Sequence, residues 1–334
     1  MHEGKVVGEG SHIYEGKKHA EILALEQAGN AARGATLYLN LEPCSHQGRT
    51  GPCADAVITA GIHRVVCSME DPNPLVAGNG FAKLRAAGIQ VEVGALGAEA
   101  RKLNEAWAKF ITKKIPFVTL KCAMSLDGKI ARRSHLGASG TGATRTDWIT
   151  GPLAREHVQQ MRHQSDAILT GIGTVLADDP LLTDRTHLPR RRPLLRVVLD
   201  SHLRLPFDSR LTQSAQEDVL VFTDAAESSS LKALEQQAIR VERIARASSA
   251  GVDLDSVLKR LAEMEITSVL VEGGSHLNTS LLASGLVDKV FLYIAPKIFG
   301  SDAIPVAEAL ATPLHLRNIQ VHSFGEDVAV EGYL

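Results

Sequence analysis

Short β-rich runs alternate with helical patterns along the first third of the chain. The runs predict strands at residues 35–41, 63–69 and 89–94, and the helical patterns predict helices at 20–28, 54–60, 80–87 and 97–112. Strands and helices that alternate in this way form a mainly parallel sheet covered by helices. We therefore predict an α/β unit here.

The pattern breaks at Lys113-Lys114-Ile115-Pro116 and then resumes. The later strands are predicted at 117–123, 166–170, 195–199, 219–222, 268–271 and 287–295, with helices at 153–163, 231–237, 254–264 and 275–283. A chain of 334 residues is too long for one ordinary core. We predict two α/β domains, residues 1–113 and 116–334. A stretch rich in glycine, serine, threonine and arginine at 132–145 predicts a loop.

The first domain carries the residues of a catalytic zinc site. His19, Cys44 and Cys53 are three good zinc ligands, and a catalytic zinc holds three protein ligands and leaves the fourth position to water. Glu21 is then free to carry protons, as in the H-x-E and P-C-x-x-C signature of zinc deaminases. Eight residues separate the two cysteines instead of two, but they are rich in turn formers.

Two points limit this interpretation. Residues two apart on a regular helix do not face each other, so His19 and Glu21 need an irregular first turn to reach one ion. His46 is an alternative fourth ligand, which would make the site a closed structural one. Cys67 and Cys122 lie in apolar runs and are predicted to be core residues.

Composition narrows the classes of function. The formal net charge is −2 and aromatic residues make up 4% of the chain, so a basic, aromatic-lined groove for nucleic acid is not expected. No run approaches the roughly eighteen apolar residues of a membrane helix, and the first residues do not resemble a signal peptide. Four cysteines, two of them assigned to metal, suit a reducing compartment. We expect a cytoplasmic enzyme with small-molecule substrates and no nucleic-acid or membrane partner.

The second domain has features that suit an anionic ligand. A strand at 268–271 leads into Glu272-Gly273-Gly274 and then a helix, a turn that directs backbone N–H groups at a phosphate or forms a plain tight turn. Arg162 and Arg185 lie on either side of Asp178 in the sequence. If both face one pocket, their guanidinium groups would bind a phosphate by paired hydrogen bonds. The alternative is that both are solvated surface residues. The third glycine of a dinucleotide fingerprint is absent after Gly171.

Together these motifs resemble the family of bifunctional riboflavin-biosynthesis enzymes, in which a pyrimidine deaminase is fused to a pyrimidine reductase. The resemblance rests on His12, His19-Ala20-Glu21, residues 43–53, Asp71-Pro72-Asn73-Pro74, residues 125–129, 148–150 and 174–183, and Glu272-Gly273-Gly274. It covers the chain from about Gly4 to the C-terminus, and it is specific because two unrelated sets of motifs occur in the expected order.

The resemblance implies two three-layer α/β domains, a cytidine-deaminase-like domain followed by a dihydrofolate-reductase-like domain. The first would use Zn²⁺ to deaminate 2,5-diamino-6-(5-phosphoribosylamino)pyrimidin-4-one. The second would use NADPH to reduce the ribosyl chain of 5-amino-6-(5-phosphoribosylamino)uracil to ribityl. The family also implies a homo-oligomer, either a dimer or a tetramer.

It implies site residues as well, with Glu21, Lys121 and Asp178 at the reacting centres. The implied NADPH-binding residues are Met124, Trp148, Thr174, Asp178, Ser201, Gly274, Ser275, His276, Leu277, Asn278, Thr279 and Ser280. The implied substrate-binding residues are His12, Thr146, Arg162, Leu182, Arg185 and Glu272.

The family usually begins with a helix and a strand that carry a Pro-Asn-Pro segment, and this sequence starts after that segment. The alternative is therefore a reductase with an inactive deaminase half. Two rival hypotheses are a nucleic-acid deaminase with the same zinc site and a structural zinc module on a ligand-binding domain.

Overall fold

The computed structural model describes residues 1–12, 18–46, 51–132, 148–226, 229–244 and 251–334. The chain divides into two compact units, Met1–Lys114 and Ile115–Leu334. The division falls within the Lys-Lys-Ile-Pro break of the sequence pattern.

The first unit contains a three-stranded parallel sheet. Its order is β1-β2-β3, and the strands are β1 (Thr36–Leu39), β2 (Arg64–Cys67) and β3 (Gln90–Val93). Its α-helices are α1 (Ala20–Ala28), α2 (Cys53–Thr59), α3 (Asn79–Ala86), α4 (Gly97–Leu103) and α5 (Glu105–Lys113), and a 3₁₀ turn covers Gly29–Ala32. The predicted strands and helices are present with ends displaced by at most two residues, apart from the helix predicted at 97–112.

One prediction in this unit is wrong: the single helix expected at 97–112 is two helices. The break lies at Asn104, where φ is −100° and ψ is 9°. Asn104 donates from its side-chain amide to the carbonyl oxygen of Ala100 at 2.9 Å, and an asparagine that bonds to its own backbone competes with helix continuation. The break sets the direction of α5, whose Trp107 donates an indole hydrogen bond to Asp71 at 3.3 Å.

The second unit is built on a nine-stranded mixed sheet. The strands, in the order found across the sheet, are β13 (Arg317–Phe324), β14 (Asp327–Tyr333), β11 (Lys289–Ala295), β4 (Phe117–Ser125), β10 (Ser268–Val271), β6 (Ala167–Gly171), β7 (Leu195–Leu199), β8 (Val219–Thr223) and β9 (Ile239–Arg243). The seven strands from β11 to β9 are parallel, whereas β14 pairs antiparallel with both β11 and β13. A separate ribbon pairs β5 (Lys129–Arg132) with β12 (Ala303–Pro305).

Helices cover both faces of this sheet. They are α6 (Pro152–Gln164), α7 (Ile172–Asp178), α8 (Arg210–Gln213), α9 (Ser229–Glu235), α10 (Leu254–Glu263) and α11 (Ser275–Ala283). Successive residues of a strand point to opposite faces, and on β7 both Val197 and Val198 are fully buried, each in a different hydrophobic cluster. The unit therefore has a core on each side of its sheet, which gives the three layers that the resemblance implies.

The sequence pattern did not predict β5, β9, β12, β13, β14, α7 or α8. Strand β13 shows the reason, because six of its eight residues are exposed, including Ile319 and Val321, so no apolar run marks it. No described helix is long and apolar enough to span a bilayer.

Candidate active sites

The proposed zinc ligand His19 lies just outside helix α1. Its backbone is extended, with φ −70° and ψ 159°, and the helix begins at Ala20. Glu21 therefore lies in the first turn while His19 precedes it, which removes the geometric objection to the H-x-E motif. The carboxylate of Glu21 accepts a hydrogen bond from the Cys53 thiol, so both residues reach the same point.

The two cysteines approach His19 from a loop and from a helix. Cys44 lies in the loop after β1, and Cys53 is the first residue of α2. The backbone N–H of Cys53 donates to the sulfur of Cys44 at 3.3 Å, and the N–H of Ala54 donates to the carbonyl oxygen of Cys44 at 3.1 Å. These bonds close the loop between the cysteines and hold its ends together.

The three ligand atoms fit a zinc ion. The Nδ1 atom of His19 lies 3.6 Å from Sγ of Cys44 and 3.2 Å from Sγ of Cys53, and all three atoms are within 4.8 Å of one another. Atoms bound tetrahedrally to one zinc ion at ordinary bond lengths would lie about 3.5 to 3.8 Å apart. An imidazole and two thiols are also the donors that zinc prefers.

The electrostatics of the cluster suit a cation. Hydrogen bonds from the Cys53 thiol and from His19 lower the pKa of Cys44 to about 4, although burial opposes them. The same sulfur contact, together with burial, raises the pKa of Cys53, and the hydrogen bond to Cys44 raises the pKa of His19. Burial raises the pKa of Glu21. Cys44 is thus the thiolate of the cluster, whereas the raised pKa values of Cys53, His19 and Glu21 favour their protonated forms. A divalent ion that binds the cluster would displace protons from its ligands.

His12 lies beside this cluster. Its ring centroid is 5.4 Å from that of His19, and its Nδ1 atom is 3.0 Å from the carbonyl oxygen of Lys18. The preceding chain passes very close to α1, because a Cβ atom on Gly10 would come within 2.3 Å of the carbonyl oxygen of Ala20. The glycine is needed for this approach, which brings His12 to the cluster.

Among the described residues, the metal-ligand cluster contains only His19, Cys44 and Cys53. His46 is not part of it, so the alternative of a four-ligand structural site has no support from the geometry. Cys67 and Cys122 are both buried, as predicted for core residues.

The second unit contains a cavity of about 2080 Å³ at the carboxyl ends of parallel strands. Strand β4 contributes Lys121, Glu272 follows β10, and β6 leads into α7 with Thr174 and Asp178. Ligands of open α/β sheets bind at this edge. Most small-molecule pockets enclose about 300 to 1,000 Å³, so this cavity has room for two ligands side by side.

Glu272 is the centre of a buried ionic cluster in the cavity wall. Its carboxylate accepts two hydrogen bonds from Arg162, from Nε at 2.6 Å and from Nη2 at 3.0 Å, and lies 3.5 Å from Nζ of Lys121. Burial alone would raise the pKa of Glu272, but the charges of Arg162 and Lys121 outweigh it and lower the pKa to about 2. Arg162 also donates to the carbonyl oxygen of Thr183 at 3.0 Å. Three of its five N–H groups thus bind protein, whereas the sequence suggested that Arg162 either grips a phosphate together with Arg185 or is a solvated surface residue.

Asp178 lies in the same cavity in a different electrostatic state. Burial raises its pKa, and the charge of Lys121 opposes only part of that effect. Asp178 and Glu272 are therefore two carboxyl groups whose environments move their pKa values in opposite directions. Such a pair is typical of acid–base assignments in an active site.

Unpaired polar groups lie at the start of α11, which follows Glu272 in the chain. Its N-cap is Gly274, and the Ser275 hydroxyl and the Oδ1 atom of Asn278 are buried without a hydrogen-bond partner in the described part of the chain. A Cβ atom on Gly273 would lie 3.0 Å from Oδ1 of Asn278, so a larger residue would crowd the first turn of α11. A helix N-terminus with bare donors fits a phosphorylated cofactor.

Two family models match the chain over these two sites. Residues 1–69 match the cytidine and deoxycytidylate deaminase zinc-binding region, and residues 116–330 match the RibD C-terminal domain. The chain belongs to the RibD family.

RibD relatives match nearly the whole chain. The riboflavin biosynthesis protein RibD of Aquifex aeolicus is 40% identical over 332 residues, which is 98% of this chain and 88% of the relative. A structure of Acinetobacter baumannii RibD matches with a TM-score of 0.82 and 35% identity over 99% of this chain and 89% of that one. The Thermotoga maritima diaminohydroxyphosphoribosylaminopyrimidine deaminase/5-amino-6-(5-phosphoribosylamino)uracil reductase matches with a TM-score of 0.81 and 37% identity, with the same coverage.

The fold of this RibD family member agrees with the resemblance in both units. Most residues implied for the reductase, at its reacting centre or for NADPH and substrate, line the large cavity: Lys121, Trp148, Arg162, Thr174, Asp178, Leu182, Arg185, Ser201, Glu272, Gly274, Ser275, His276, Leu277, Thr279 and Ser280. Met124 and Asn278 are not on its wall, and Thr146 lies outside the described residues. The wall also includes Arg155, Arg204, Arg210 and residues 251–255, which the sequence did not suggest because they come from segments with no recognisable motif.

Proposed function

We propose that the chain catalyses two steps of riboflavin biosynthesis, with the first unit as the deaminase and the second as the reductase. Phosphoribosylaminopyrimidines are the substrates, Zn²⁺ and NADPH the cofactors. The observation that carries the proposal is the convergence of His19, Cys44 and Cys53 beside Glu21 in the first unit. It favours two activities over a reductase with an inactive deaminase half.

In the deaminase, His19, Cys44 and Cys53 would hold zinc, which when bound supplies a Lewis acid that lowers the pKa of water toward about 7. The task left to Glu21 is proton transfer. Its carboxylate takes a proton from the attacking water and delivers it to the leaving amine, so that water and the aminopyrimidine become the pyrimidinone and ammonia. The ring of His12 lies beside the ring of His19, and His12 is proposed to contact the pyrimidine.

In the reductase, NADPH supplies the hydride that C1′ of the ribosyl chain accepts, and one proton must be delivered with it. Asp178 is proposed as its donor, because burial keeps the proton on this carboxyl at higher pH than on an exposed one. Arg162 and Lys121 hold Glu272 ionised, which leaves it an acceptor for substrate hydroxyl groups. Arg185 is proposed to face the substrate phosphate.

The NADPH site is proposed at Gly274, Ser275 and the α11 residues that follow, with Thr174, Asp178, Trp148 and Ser201 completing it. We further propose a cytoplasmic homo-oligomer, a dimer or a tetramer, whose mass light scattering after gel filtration would measure.

Separate assays of ammonia release and NADPH oxidation test the two assignments. Glu21→Gln should abolish ammonia release, retain zinc and leave NADPH oxidation unchanged. Unchanged ammonia release by Glu21→Gln would refute the role of Glu21. A zinc-loaded unmutated chain that releases no ammonia would support a structural zinc module. Retention of single-stranded DNA at low salt would instead support a nucleic-acid deaminase.

A further inference from the structure

We infer that Glu42 is a positioning residue for the zinc centre, because its buried carboxylate fixes the segment that presents Cys44. The inference rests on the zinc site proposed above. Glu42 is only 3% exposed and lies two residues before Cys44, in the loop after β1.

The carboxylate of Glu42 accepts three hydrogen bonds from backbone N–H groups. Its Oε2 atom accepts from Asp71 at 3.2 Å and from Gly78 at 2.9 Å, and its Oε1 atom accepts from Phe81 at 3.1 Å. These donors span the loop after β2 and the first turn of α3. One side chain therefore joins the Cys44 segment to two other parts of the first unit.

The same junction is packed tightly. A Cβ atom on Gly80 would lie 2.2 Å from the carbonyl oxygen of Pro43 and 3.0 Å from Oε1 of Glu42. Helix α3 thus touches the backbone between Glu42 and Cys44 directly, and only glycine permits that contact. The Glu42 bonds to Gly78 and Phe81 hold Pro43 in this contact, so their loss would let Pro43 move away from α3.

The loop after β2, which Glu42 binds through the N–H of Asp71, is also fixed by the side chain of Asp71. The Oδ1 atom of Asp71 accepts from the backbone N–H of Asn73 at 2.9 Å and from the indole of Trp107 at 3.3 Å. Glu42 is therefore tied to a rigid support that continues into α5. Cys44 itself also accepts hydrogen bonds from the N–H groups of Cys53 and Ala54.

The contacts require a carboxylate. Both oxygens of Glu42 act as acceptors here, whereas the amide of a glutamine would place two donors against backbone donors. If the amide nitrogen of Glu42→Gln takes the Oε1 position, the bond from Phe81 is lost. If it takes the Oε2 position, the bonds from Asp71 and Gly78 are lost. The side chain keeps its size, so the substitution removes hydrogen bonds with little change in packing.

The test compares full-length Glu42→Gln with Glu92→Gln, a control that removes an exposed carboxylate paired with Arg64 in the same unit. Zinc affinity is measured by chelator competition, and the Co²⁺-loaded proteins are compared by their thiolate-to-cobalt and d–d absorption bands. Residues that orient metal ligands typically change affinity about 10- to 100-fold when mutated, and we expect a loss of this size for Glu42→Gln and none for Glu92→Gln. The cobalt bands should shift, and NADPH oxidation should stay unchanged.

Wild-type zinc affinity and wild-type cobalt bands in Glu42→Gln would overturn the inference, even if its melting temperature falls, because Glu42 would then only stabilise the fold. That result, with zinc bound normally to the unmutated chain, leaves the proposed function standing. Failure of the unmutated chain to bind zinc overturns both proposals. Glu42→Asp should also fail to restore affinity, since its carboxylate is one methylene too short to reach the same donors.

Discussion

Glutamine in place of Glu272 should destabilise the second unit by about 3 kcal/mol at pH 7. The carboxylate is almost buried and lies between Arg162 and Lys121, and its pKa is lowered from 4.5 to about 2. At about 1.4 kcal/mol for each pKa unit, the ionised form is stabilised by about 3 kcal/mol in the folded state. Loss of one partner from a buried ion pair costs about 3 to 5 kcal/mol in general, which agrees.

Hydrogen exchange at the amides of β4 and β10 measures this free energy in the intact chain, because both strands belong to the second unit. Asp255→Asn is the matched control, since Asp255 pairs with Lys259 at 2.6 Å on the surface and should change stability by less than about 1 kcal/mol. Arg162→Met combined with Glu272→Gln should cost less than the sum of the single changes, with a coupling energy of about 3 kcal/mol.

The pH dependence gives a second check on Glu272. A carboxyl whose pKa is lowered on folding contributes stability that is fully present above its unfolded pKa and is lost as pH falls toward its folded pKa. The destabilisation by Glu272→Gln should therefore shrink by about 2 kcal/mol between pH 7 and pH 3. An effect below 1 kcal/mol at pH 7, or one that does not change with pH, would refute the account of this cluster.

Three further predictions concern the zinc ligands, the proton donor and the bound metal. Cys53→Ser should remove zinc and ammonia release but spare NADPH oxidation, whereas Cys67→Ser should keep the metal; elemental analysis and the two assays decide. Asp178→Asn should lower reductase kcat about 10²- to 10⁴-fold. Because the acid form of Asp178 is required, wild-type kcat should fall as pH rises through its raised pKa, and an identical alkaline fall in Asp178→Asn would exclude it. Chelation should lower the melting temperature of the first unit only. The unit loses up to about 4 kcal/mol of folding free energy if zinc was present at about 1,000 times its Kd. Calorimetry with and without chelator measures this change.

The zinc site could be predicted from the sequence because few residue types bind zinc and their order is specific. His19, Cys44 and Cys53 meet as expected, and the loop between the cysteines is long enough to allow it. The extended backbone of His19 could not be read from the sequence, since H-x-E alone does not show where the helix begins.

The Arg162–Glu272 pair could not be predicted, because its members lie 110 residues apart and nothing in their local sequence links them. The strands, too, could be predicted only where the local sequence carries a signal. Buried parallel strands are continuous apolar runs and were recognised, whereas β13 is largely exposed and was not.

Glu42 and Glu272 show two uses of a buried carboxylate. Glu42 meets neutral backbone donors, so its bonds fix the position of a chain segment without a cationic side chain. Glu272 meets two cationic side chains, so its removal leaves buried positive charge beside Asp178 and would lower the pKa of that group. The first substitution should therefore act on metal affinity and the second on the pH profile of the reductase. A shift of that profile toward lower pH in Glu272→Gln, with zinc affinity unchanged, would separate the two roles within one set of proteins.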